Sequence, residues 1–573
     1  MSFLKQALLL LLDTLLVVSA GIILVILVSG GGVFHIGAVR VSATHARNLI
    51  AITTFLVVLR GYGARAVPFL GVRLLEFRKL PERCVELFSR LHAWLRDADN
   101  ASARRVVVAL VLVSAVIKLL NSWFYYGFFS GDDVEIHEMT LSTLLGWTDW
   151  QAWNLRNAFY PMAFIYPAQA LVHGLGVQEE ALLVFAGRTV VVLFSLLSII
   201  LVYRVAKDTY GSVAVGICAV SLFAASHVHN NFASTVLPRV VAATFVLLSV
   251  WLLVRFRQSP IVAIASGLLL GIGSAIRFSE ALFIGCVVLY LLASRRVLHG
   301  FLVGIASVAT AALVVGVADQ LYWGTPFSSL LNLYDYTIRQ AQSSRGYQPV
   351  WFYLTTAGSW GNYLMVGLLV YAAWLREWRG FLLAGLPIAI LSILPHKEFR
   401  YLVPVLPFAC IVAGFALWTI LTEFAGETST RKANETPLVA TVLGILVVVS
   451  LLFEIDGYRF RRYESAVDAA RYVREQPAAS SVGVEQLWRA GGRIYLWRVP
   501  IVRDISFDRR DDRDYIRNVL SGSAYQYVAL NTGDVERFGY EELLGAAGYQ
   551  EIPLVTGNSS RGYRLYEQSA ERH

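Results

Sequence analysis

Apolar stretches close to twenty residues long recur along most of the chain. A stretch of that length spans the hydrocarbon core of a bilayer, which is about 30 Å thick. The pattern predicts about thirteen spans. They cover residues 6–29, 48–59, 106–128, 181–203, 213–225, 236–254, 261–276, 281–292, 301–317, 362–375, 381–394, 401–421 and 438–453. We therefore expect an all-α polytopic membrane bundle with about 11–13 transmembrane helices.

The composition agrees with a membrane protein. Of the 573 residues, 56% are hydrophobic and only 16% are charged, whereas soluble domains carry about 25% charged residues. A net charge of +9 could indicate a nucleic-acid partner, but basic residues of membrane proteins collect in cytoplasmic loops, so we expect no nucleic acid. The four cysteines show no metal-ligand spacing, so they indicate neither a zinc site nor a disulfide framework. We expect no cofactor.

Basic residues orient the spans. They fall on alternate connectors, at residues 204–207, 255–257, 295–296, 376–379 and 431–432, which the positive-inside rule assigns to the cytoplasm. The Arg-rich segment 60–105 contains an amphipathic helix, at residues 84–95, that we expect to lie on the inner membrane surface. The connectors that remain for the outer face are residues 130–180, 227–235, 277–280, 319–361 and 395–400. They hold most of the unusual polar residues, so we expect the functional site there.

The pattern changes after residue 456, where apolar runs shorten and charges become frequent. Helices are predicted at residues 465–475, 514–520 and 540–547, and strands at 481–485, 493–502, 525–530, 550–555 and 563–568. This is typical of a small α/β domain. The chain then divides into an N-terminal membrane hairpin with a basic amphipathic helix (1–105), a transmembrane catalytic domain (106–456) and an exoplasmic α/β domain (457–573).

An acidic segment, residues 130–138, follows the span at 106–128. Carboxylates crowded at a membrane boundary repel one another and lose hydration, which raises some of their pKa values and suits a general base. Asp132 and Asp133 are the candidates. Two alternatives stay open. One is a solvated acidic loop in which either aspartate caps a helix; the other is a metal site that adds His137.

Two further charged segments interrupt apolar runs. In the segment 395–401, Pro395 predicts the start of a helix, which would place His396 and Arg400 one turn apart near a terminus that favours anions. A cluster that merely reaches out to water is the alternative. In the segment 275–280, Arg277 could bind a phosphate or form an ion pair with Glu280.

These segments, in this order, resemble the C superfamily of glycosyltransferases (GT-C). Within it they are most similar to glycosyltransferase family 22, the mannosyltransferases of dolichol-linked oligosaccharide and GPI-anchor assembly. Residues 396–400, HKEFR, match that branch's H-K-E-x-R signature, with Tyr401 where Phe is usual. Weaker matches are GWTDW at 146–150, LRN at 155–157, YP at 160–161, DQLYWG at 319–324 and RGY at 345–347. The resemblance covers residues 106–421.

The acidic motif departs from the branch, because GDD at residues 131–133 replaces the usual P-D-E. Its layout from Asp132 to Glu138 also resembles the aminoarabinose and protein-mannosyl transferases of the superfamily. The resemblance therefore leaves the sugar open.

The resemblance implies an active site under the first outer loop, a polyprenyl- or dolichyl-phosphate sugar as donor, and a glycan or glycolipid as acceptor, all among membrane lipids. It implies inversion by a single displacement, in which Asp132 takes the acceptor proton and Asp133 orients it or substitutes for it. The donor phosphate is then bound by Arg277, His396, Lys397 and Arg400, and the supporting residues are Glu138, Arg156 and Glu398.

The leading hypothesis is thus an integral-membrane glycosyltransferase, of the mannosyltransferase type, acting on the exoplasmic face. We expect it in the plasma membrane of a prokaryote, or in the endoplasmic reticulum of a eukaryote. A lipid-linked glycan transporter or flippase is the rival, but transporters often show inverted repeats and mid-membrane sites, and here the charges cluster at one boundary. An enzyme for another lipid-phosphate sugar, such as aminoarabinose, is the other alternative.

Overall fold

The computed structural model describes residues 32–36, 39–43, 92–124, 127–147, 150–339, 347–356, 360–427, 463–505, 513–522, 525–553 and 562–569. The predicted spans at 6–29, 48–59 and 438–453 lie outside the described residues, as does most of the predicted amphipathic helix at 84–95. Ahead of the helical part, strands β1 (Gly32–Ile36) and β2 (Val39–Ala43) pair in an antiparallel hairpin.

Helices form most of the described chain before residue 428. In chain order they are α1 (Asn100–Phe124), α2 (Gly131–Leu145), α3 (Tyr166–Gly174), α4 (Glu180–Tyr210), α5 (Val213–Ala224), α6 (His227–Ala233), α7 (Arg239–Arg255) and α8 (Pro260–Ile276). There follow α9 (Leu282–Ala293), α10 (Val297–Trp323), α11 (Ser328–Tyr334), α12 (Phe352–Thr355), α13 (Asn362–Trp374), α14 (Trp378–Ile393) and α15 (Leu406–Glu427).

Three of these helices, α1, α4 and α10, are long and apolar enough to cross a membrane. Helices α5 and α6 together form a fourth such span that is bent by 61°. Helices α8, α13, α14 and α15, and the segment Phe278–Ala293 that contains α9, are apolar but have shorter apolar segments. Every predicted span from 106–128 to 401–421 thus contains a helix in the described residues, because an apolar segment in a bilayer must satisfy its backbone groups internally.

The core of the bundle is formed by α4, α5, α7 and α15. Helix α7 packs against α4 on one side and α8 on the other, and α8 in turn packs against α10. The connectors predicted for the outer face are more regular than the sequence pattern indicates: the connector at 130–180 contains α2 and α3, and the connector at 227–235 contains α6. These helices are short and of mixed polarity, so hydropathy does not reveal them.

The last part of the chain is a small α/β domain, as predicted. Its elements are α16 (Glu464–Glu475), β3 (Ser481–Val484), β4 (Ile501–Asp504), α17 (Arg513–Gly522), β5 (Tyr527–Asn531), α18 (Thr532–Phe538), α19 (Tyr540–Ala546), β6 (Tyr549–Ile552) and β7 (Tyr563–Gln568). The strand order is β4-β3-β5-β7-β6, with β4, β3 and β5 parallel and β7 antiparallel to both neighbours. The predicted strand at 493–502 is wrong in its first part, since residues 491–500 form turns and β4 begins only at Ile501.

Candidate active site

The acidic segment forms the start of helix α2. Ser130 has extended backbone (φ −159°) and precedes the helix, so Asp132 and Asp133 lie in the first turn and neither is the N-cap. The alternative of an acidic loop capped by one of these aspartates is therefore wrong. The free N–H groups of a helix N-terminus favour carboxylates in the first turn.

Asp132 faces a cluster of guanidinium groups. Arg156 Nη2 donates to its Oδ1 at 2.6 Å, and Arg400 Nη1 donates to its Oδ2 at 2.5 Å. Burial by itself would raise the pKa of the Asp132 carboxyl. The positive charges of Arg156 and Arg400, with that of Arg277 nearby, outweigh burial and hold this pKa well below its usual range. The fold thus brings together Asp132 and Arg400, which lie 268 positions apart in the chain.

Arg156 is held in place by a second carboxylate. Its Nε donates to Glu135 Oε2 at 2.5 Å, while Glu135 Oε1 accepts the backbone N–H of Trp153 at 2.7 Å. The Trp323 indole, at the end of α10, donates to the Arg156 carbonyl at 3.1 Å. The neighbouring Asn157 side chain donates to the carbonyl of Ala275, two residues before Arg277. These hydrogen bonds join the connector 130–180 to α8 and α10.

The segment 395–401 is arranged differently from the prediction. Glu398 is extended (φ −142°, ψ 151°), and only the short 3₁₀ helix Phe399–Leu402 follows it. The predicted helix beginning at Pro395 is therefore wrong. His396 and Arg400 instead meet at one carboxylate: His396 Nε2 lies 2.8 Å from Glu398 Oε1, and Arg400 Nη2 donates to the same oxygen at 2.8 Å.

Lys397 is directed away from this carboxylate. Its ammonium group donates to the backbone carbonyls of Gln348 at 2.7 Å and Leu394 at 2.5 Å, and the residue is buried. Lys397 therefore anchors the segment to the preceding connector, and it is not among the residues brought to Asp132. The Tyr353 hydroxyl adds a bond to the Glu398 carbonyl at 3.2 Å.

Arg277 lies at the end of α8, and its side chain forms no hydrogen bond or ion pair with the part of the chain that the structure describes. The alternative pairing with Glu280 is wrong, because Glu280 Oε1 lies 3.6 Å from Arg239 Nη1. Arg239 is itself buried and stacks over the Tyr401 ring at 4.3 Å. The guanidinium of Arg277 is half-buried, close to Asp132 and without a carboxylate of its own among the described residues.

Asp133, the neighbour of Asp132, is fully buried on another side of α2. Its two carboxylate oxygens accept the backbone N–H groups of Phe129 and Val236, each at 2.9 Å. Burial raises the pKa of this carboxyl. The side chain joins the start of α2 to the start of α7 and does not contact the guanidinium cluster.

The metal alternative is not supported by this arrangement. His137 Nδ1 lies 3.1 Å from the Gln169 amide, while Asp132 and Asp133 have the separate partners described above. Within the described ranges no three His, Cys, Asp or Glu side chains are grouped as metal ligands would be.

Glu138 lies farther along α2 and is buried. Its Oε1 accepts the backbone N–H of Arg493, in the C-terminal domain, at 2.7 Å. Burial raises the pKa of the Glu138 carboxyl to about 7. Glu138 was predicted to support the site. In the structure it contacts the C-terminal domain and does not contact the guanidinium cluster.

The fold resembles two solved membrane proteins. ArnT from Cupriavidus metallidurans, bound to undecaprenyl phosphate, superposes with a TM-score of 0.56 at 14% identity over 81% of this chain and 98% of that chain. The oligosaccharyltransferase of Archaeoglobus fulgidus in its apo form gives a TM-score of 0.52 at 12% identity, over 83% and 75% of the two chains. The fold is thus that of the C-superfamily glycosyltransferases.

The chain therefore combines the fold of these membrane proteins with an ionised carboxylate that faces guanidinium groups. A family model, described as the Alg9-like mannosyltransferase family, matches residues 133–479, more than half of the 573 residues. The chain belongs to that family, and its predicted relationship to the family 22 mannosyltransferases is confirmed. Membership of a mannosyltransferase family favours an enzyme over the transporter alternative.

A curated relative points the same way. GPI mannosyltransferase 3 of Yarrowia lipolytica is 24% identical over 226 residues, which cover 36% of this chain. The match spans 41% of that protein's length.

Sequence reasoning missed Glu135, Arg239 and Tyr353 as parts of the site. Glu135 lies inside the acidic segment, where the sequence pattern does not distinguish it from the other carboxylates. Arg239 follows Pro238 at the start of α7, and a lone cation inside an apolar run is a recognisable signal, since such a charge is costly unless it is paired. Tyr353 had only the general signal of an aromatic residue near a membrane boundary.

Proposed function

We propose that this protein transfers a mannosyl group from a polyprenyl- or dolichyl-phosphate donor to a hydroxyl of a lipid-linked glycan or other acceptor on the exoplasmic face. The observation that carries the proposal is the convergence of Asp132 with Arg156, Arg400 and Arg277 at one boundary of the helical bundle. A carboxylate can accept the proton of a hydroxyl, and guanidinium groups stabilise the charge of a leaving phosphate.

The reaction is a single displacement with inversion. The acceptor oxygen attacks the anomeric carbon as the bond between that carbon and the phosphate oxygen breaks, and the electron pair leaves with the lipid phosphate. Asp132 takes the proton of the acceptor hydroxyl. The leaving phosphate is a weak base and needs positive charge more than a proton, which Arg277 and Arg400 supply. His396 extends this cluster through Glu398.

Donor binding also makes Asp132 a stronger base. Before the donor arrives, Arg156 and Arg400 stabilise the ionised carboxylate and keep its proton affinity low. A donor phosphate competes for Arg400 and shares Arg277, so the positive potential at Asp132 falls. Asp132 then accepts a proton more readily once the donor is in place.

An apolar cavity of about 670 Å³ next to this cluster suits part of the donor's lipid chain. Phe159 and Met162 line one side and Leu313, Val317 and Tyr322 line the other, so the cavity lies between the first outer connector and α10. Asn157 and the Arg156 carbonyl form their hydrogen bonds, to Ala275 and from Trp323, beside this cavity. A lipid bound in the cavity would therefore present its phosphate toward the guanidinium groups.

The charge pattern supports the exoplasmic location. The connectors rich in Arg and Lys, such as 204–207 and 255–257, lie at the other ends of the helices from α2 and the segment 395–401. The direct test is reconstitution in liposomes with polyprenyl-phosphate mannose and an acceptor glycolipid. We expect sugar transfer by the wild type, with access to substrates from the face opposite these basic connectors. Movement of a glycolipid across the bilayer without a new glycosidic bond would contradict the proposal.

A further inference from the structure

The C-terminal domain is packed directly against helix α2. One hydrophobic core contains Val134 and Leu141 of α2 together with Ala490 and Tyr495 of the C-terminal domain. Phe128, just before α2, belongs to the same core, and its ring lies 6.3 Å from that of Tyr495. The helix that carries Asp132 is therefore held by the membrane domain on one side and by the C-terminal domain on the other.

A tight turn, residues 491–493, brings the backbone of the C-terminal domain against α2. Gly492 has a positive φ of +61°, which favours glycine. A Cβ atom at this position would overlap the Glu138 carboxylate and lie 2.5 Å from Val134 Cγ1. The next residue, Arg493, donates its backbone N–H to Glu138 at 2.7 Å. The absence of a side chain at Gly492 is thus what allows this hydrogen bond.

The C-terminal domain makes a second contact near the C-terminal end of α2. The buried Glu180, at the start of α4, accepts bonds from Arg474 Nη1 at 2.5 Å and from the Trp497 indole at 2.7 Å. The Trp497 ring stacks against Trp147, which follows α2, with centroids 6.5 Å apart. The domain therefore contacts α2 from Val134 to Leu141 and again just beyond the C-terminal end of the helix.

We infer that the C-terminal domain is a clamp that positions helix α2 for catalysis, with Glu138 and Gly492 as positioning residues. This inference rests on the proposed function. Glu138 lies six residues after Asp132, about 9 Å farther along the helix axis, so the clamp acts on the orientation of the helix and not on the substrate. Because a misplacement of about 1 Å can cost roughly 100-fold in rate, a rigid support for this helix has a direct catalytic effect.

The first experiment measures mannosyl transfer by Gly492→Ala in liposomes with polyprenyl-phosphate mannose. We expect kcat to fall by roughly 10- to 100-fold while the donor KM changes by less than about threefold, because the phosphate-binding residues lie outside the turn. Gly211→Ala is the matched control, since Gly211 has a similar φ of +66° with nothing within 4 Å of a Cβ. A wild-type kcat for folded Gly492→Ala would overturn the inference.

A second pair of variants tests the hydrogen bond even if Gly492→Ala does not fold. Glu138→Gln keeps an oxygen that can accept the Arg493 N–H, whereas Glu138→Leu removes it and leaves that N–H unsatisfied. At pH 6 we expect nearly wild-type kcat for Glu138→Gln and a loss of about tenfold or more for Glu138→Leu. Equal activities of the two variants would contradict a positioning role for this bond.

Hydrogen exchange separates failure of the clamp from failure of the proposed function. Without any substrate, we expect the amides of α2 to exchange at least about tenfold faster in Glu138→Leu than in the wild type, with α7 unchanged. Unchanged exchange in α2 would refute the clamp. Absence of sugar transfer by the wild type, with faster exchange in the variant, would refute the proposed function alone.

Discussion

Two sides of one helix turn place adjacent aspartates in opposite environments. Asp132 faces the guanidinium groups of Arg156 and Arg400, and its pKa lies well below the usual range. Asp133 is fully buried against the backbone of Phe129 and Val236, and its pKa is raised. The residue type is the same, so the difference arises entirely from what surrounds each carboxyl group.

This difference favours separate roles for Asp132 and Asp133. A carboxylate at the edge of a cationic cluster can exchange partners with an incoming phosphate and an acceptor hydroxyl. A carboxylate whose oxygens are both bonded to backbone N–H groups cannot leave them without leaving those groups unsatisfied. Asp133 therefore orients the start of α2, and the substitution of one aspartate for the other in catalysis is disfavoured.

The largest expected effect separates the two aspartates directly. Asp132→Asn removes the general base while keeping the size of the side chain, and we expect kcat to fall by roughly 10²- to 10⁴-fold. The measurement is transfer of labelled mannose by purified protein in liposomes, normalised to folded enzyme. Asp133→Asn is the matched control and should lose far less. Equal losses for both variants would remove the distinction.

The next effect concerns Arg277, whose guanidinium group has no carboxylate partner of its own among the described residues. Charged hydrogen bonds contribute about 1.5–3 kcal/mol, so Arg277→Gln should raise the donor KM by roughly 10- to 100-fold. Its effect on kcat is expected to be smaller than that of Asp132→Asn. Arg255→Gln, an exposed arginine at the end of α7, is the control. An unchanged donor KM for Arg277→Gln would show that the phosphate binds elsewhere.

Asp133→Asn should act on stability. An amide can accept only one of the two N–H groups, so the other is left buried without a partner, at a cost of about 1–3 kcal/mol. We expect a lower thermal midpoint in detergent, with a kcat per folded molecule close to that of the wild type. A variant as stable as the wild type but inactive would indicate that Asp133 takes part in the chemistry.

The smallest effect is on the pH dependence of the contact between Glu138 and the C-terminal domain. The raised pKa of Glu138, about 7, means that its neutral form stabilises the contact with the C-terminal domain. That stabilisation is present below the ordinary carboxyl pKa near 4.5 and is lost as the pH rises through about 7. Glu135 opposes ionisation, while Arg493 and the Trp150 side chain favour it.

The glutamine in Glu138→Gln cannot ionise, so in this variant the contact with the C-terminal domain should not weaken as the pH rises. Hydrogen exchange of α2 between pH 6 and pH 8.5 measures the difference, after correction for intrinsic exchange. We expect protection to fall with pH in the wild type and to stay constant in the variant. Identical pH profiles would mean that the ionisation of Glu138 is irrelevant to the contact.

The sequence predicts the bundle better than the site. The prediction of a span at 261–276 agrees with α8, Pro260–Ile276, because a long apolar run in a bilayer has few alternatives to a helix. Short helices of mixed composition, such as α2 and α6, carry no such signal. The strand predicted at 493–502 failed for a related reason: an apolar pattern there serves a turn that packs on another domain.

The local sequence pattern does not predict which charged residues form ion pairs with one another. Glu280 and Arg277 are close in sequence, yet Glu280 faces Arg239, 41 positions away, because packing of α7 on α8 brings them together. The tendency of Pro395 to start a helix was outweighed by contacts of the extended segment, in which Glu398 binds both His396 and Arg400. The motif resemblance supplied the identity of these residues but not their partners.

The central claim is that the donor phosphate and Asp132 share one cationic site. The most direct measurement is a structure of the protein, in a lipid nanodisc, with a non-transferable polyprenyl-phosphate mannose analogue. We expect phosphate density within hydrogen-bond distance of Arg277 and Arg400, with the anomeric carbon facing Asp132. Phosphate density bound away from both arginines, with Asp132 still paired to Arg400, would contradict the account.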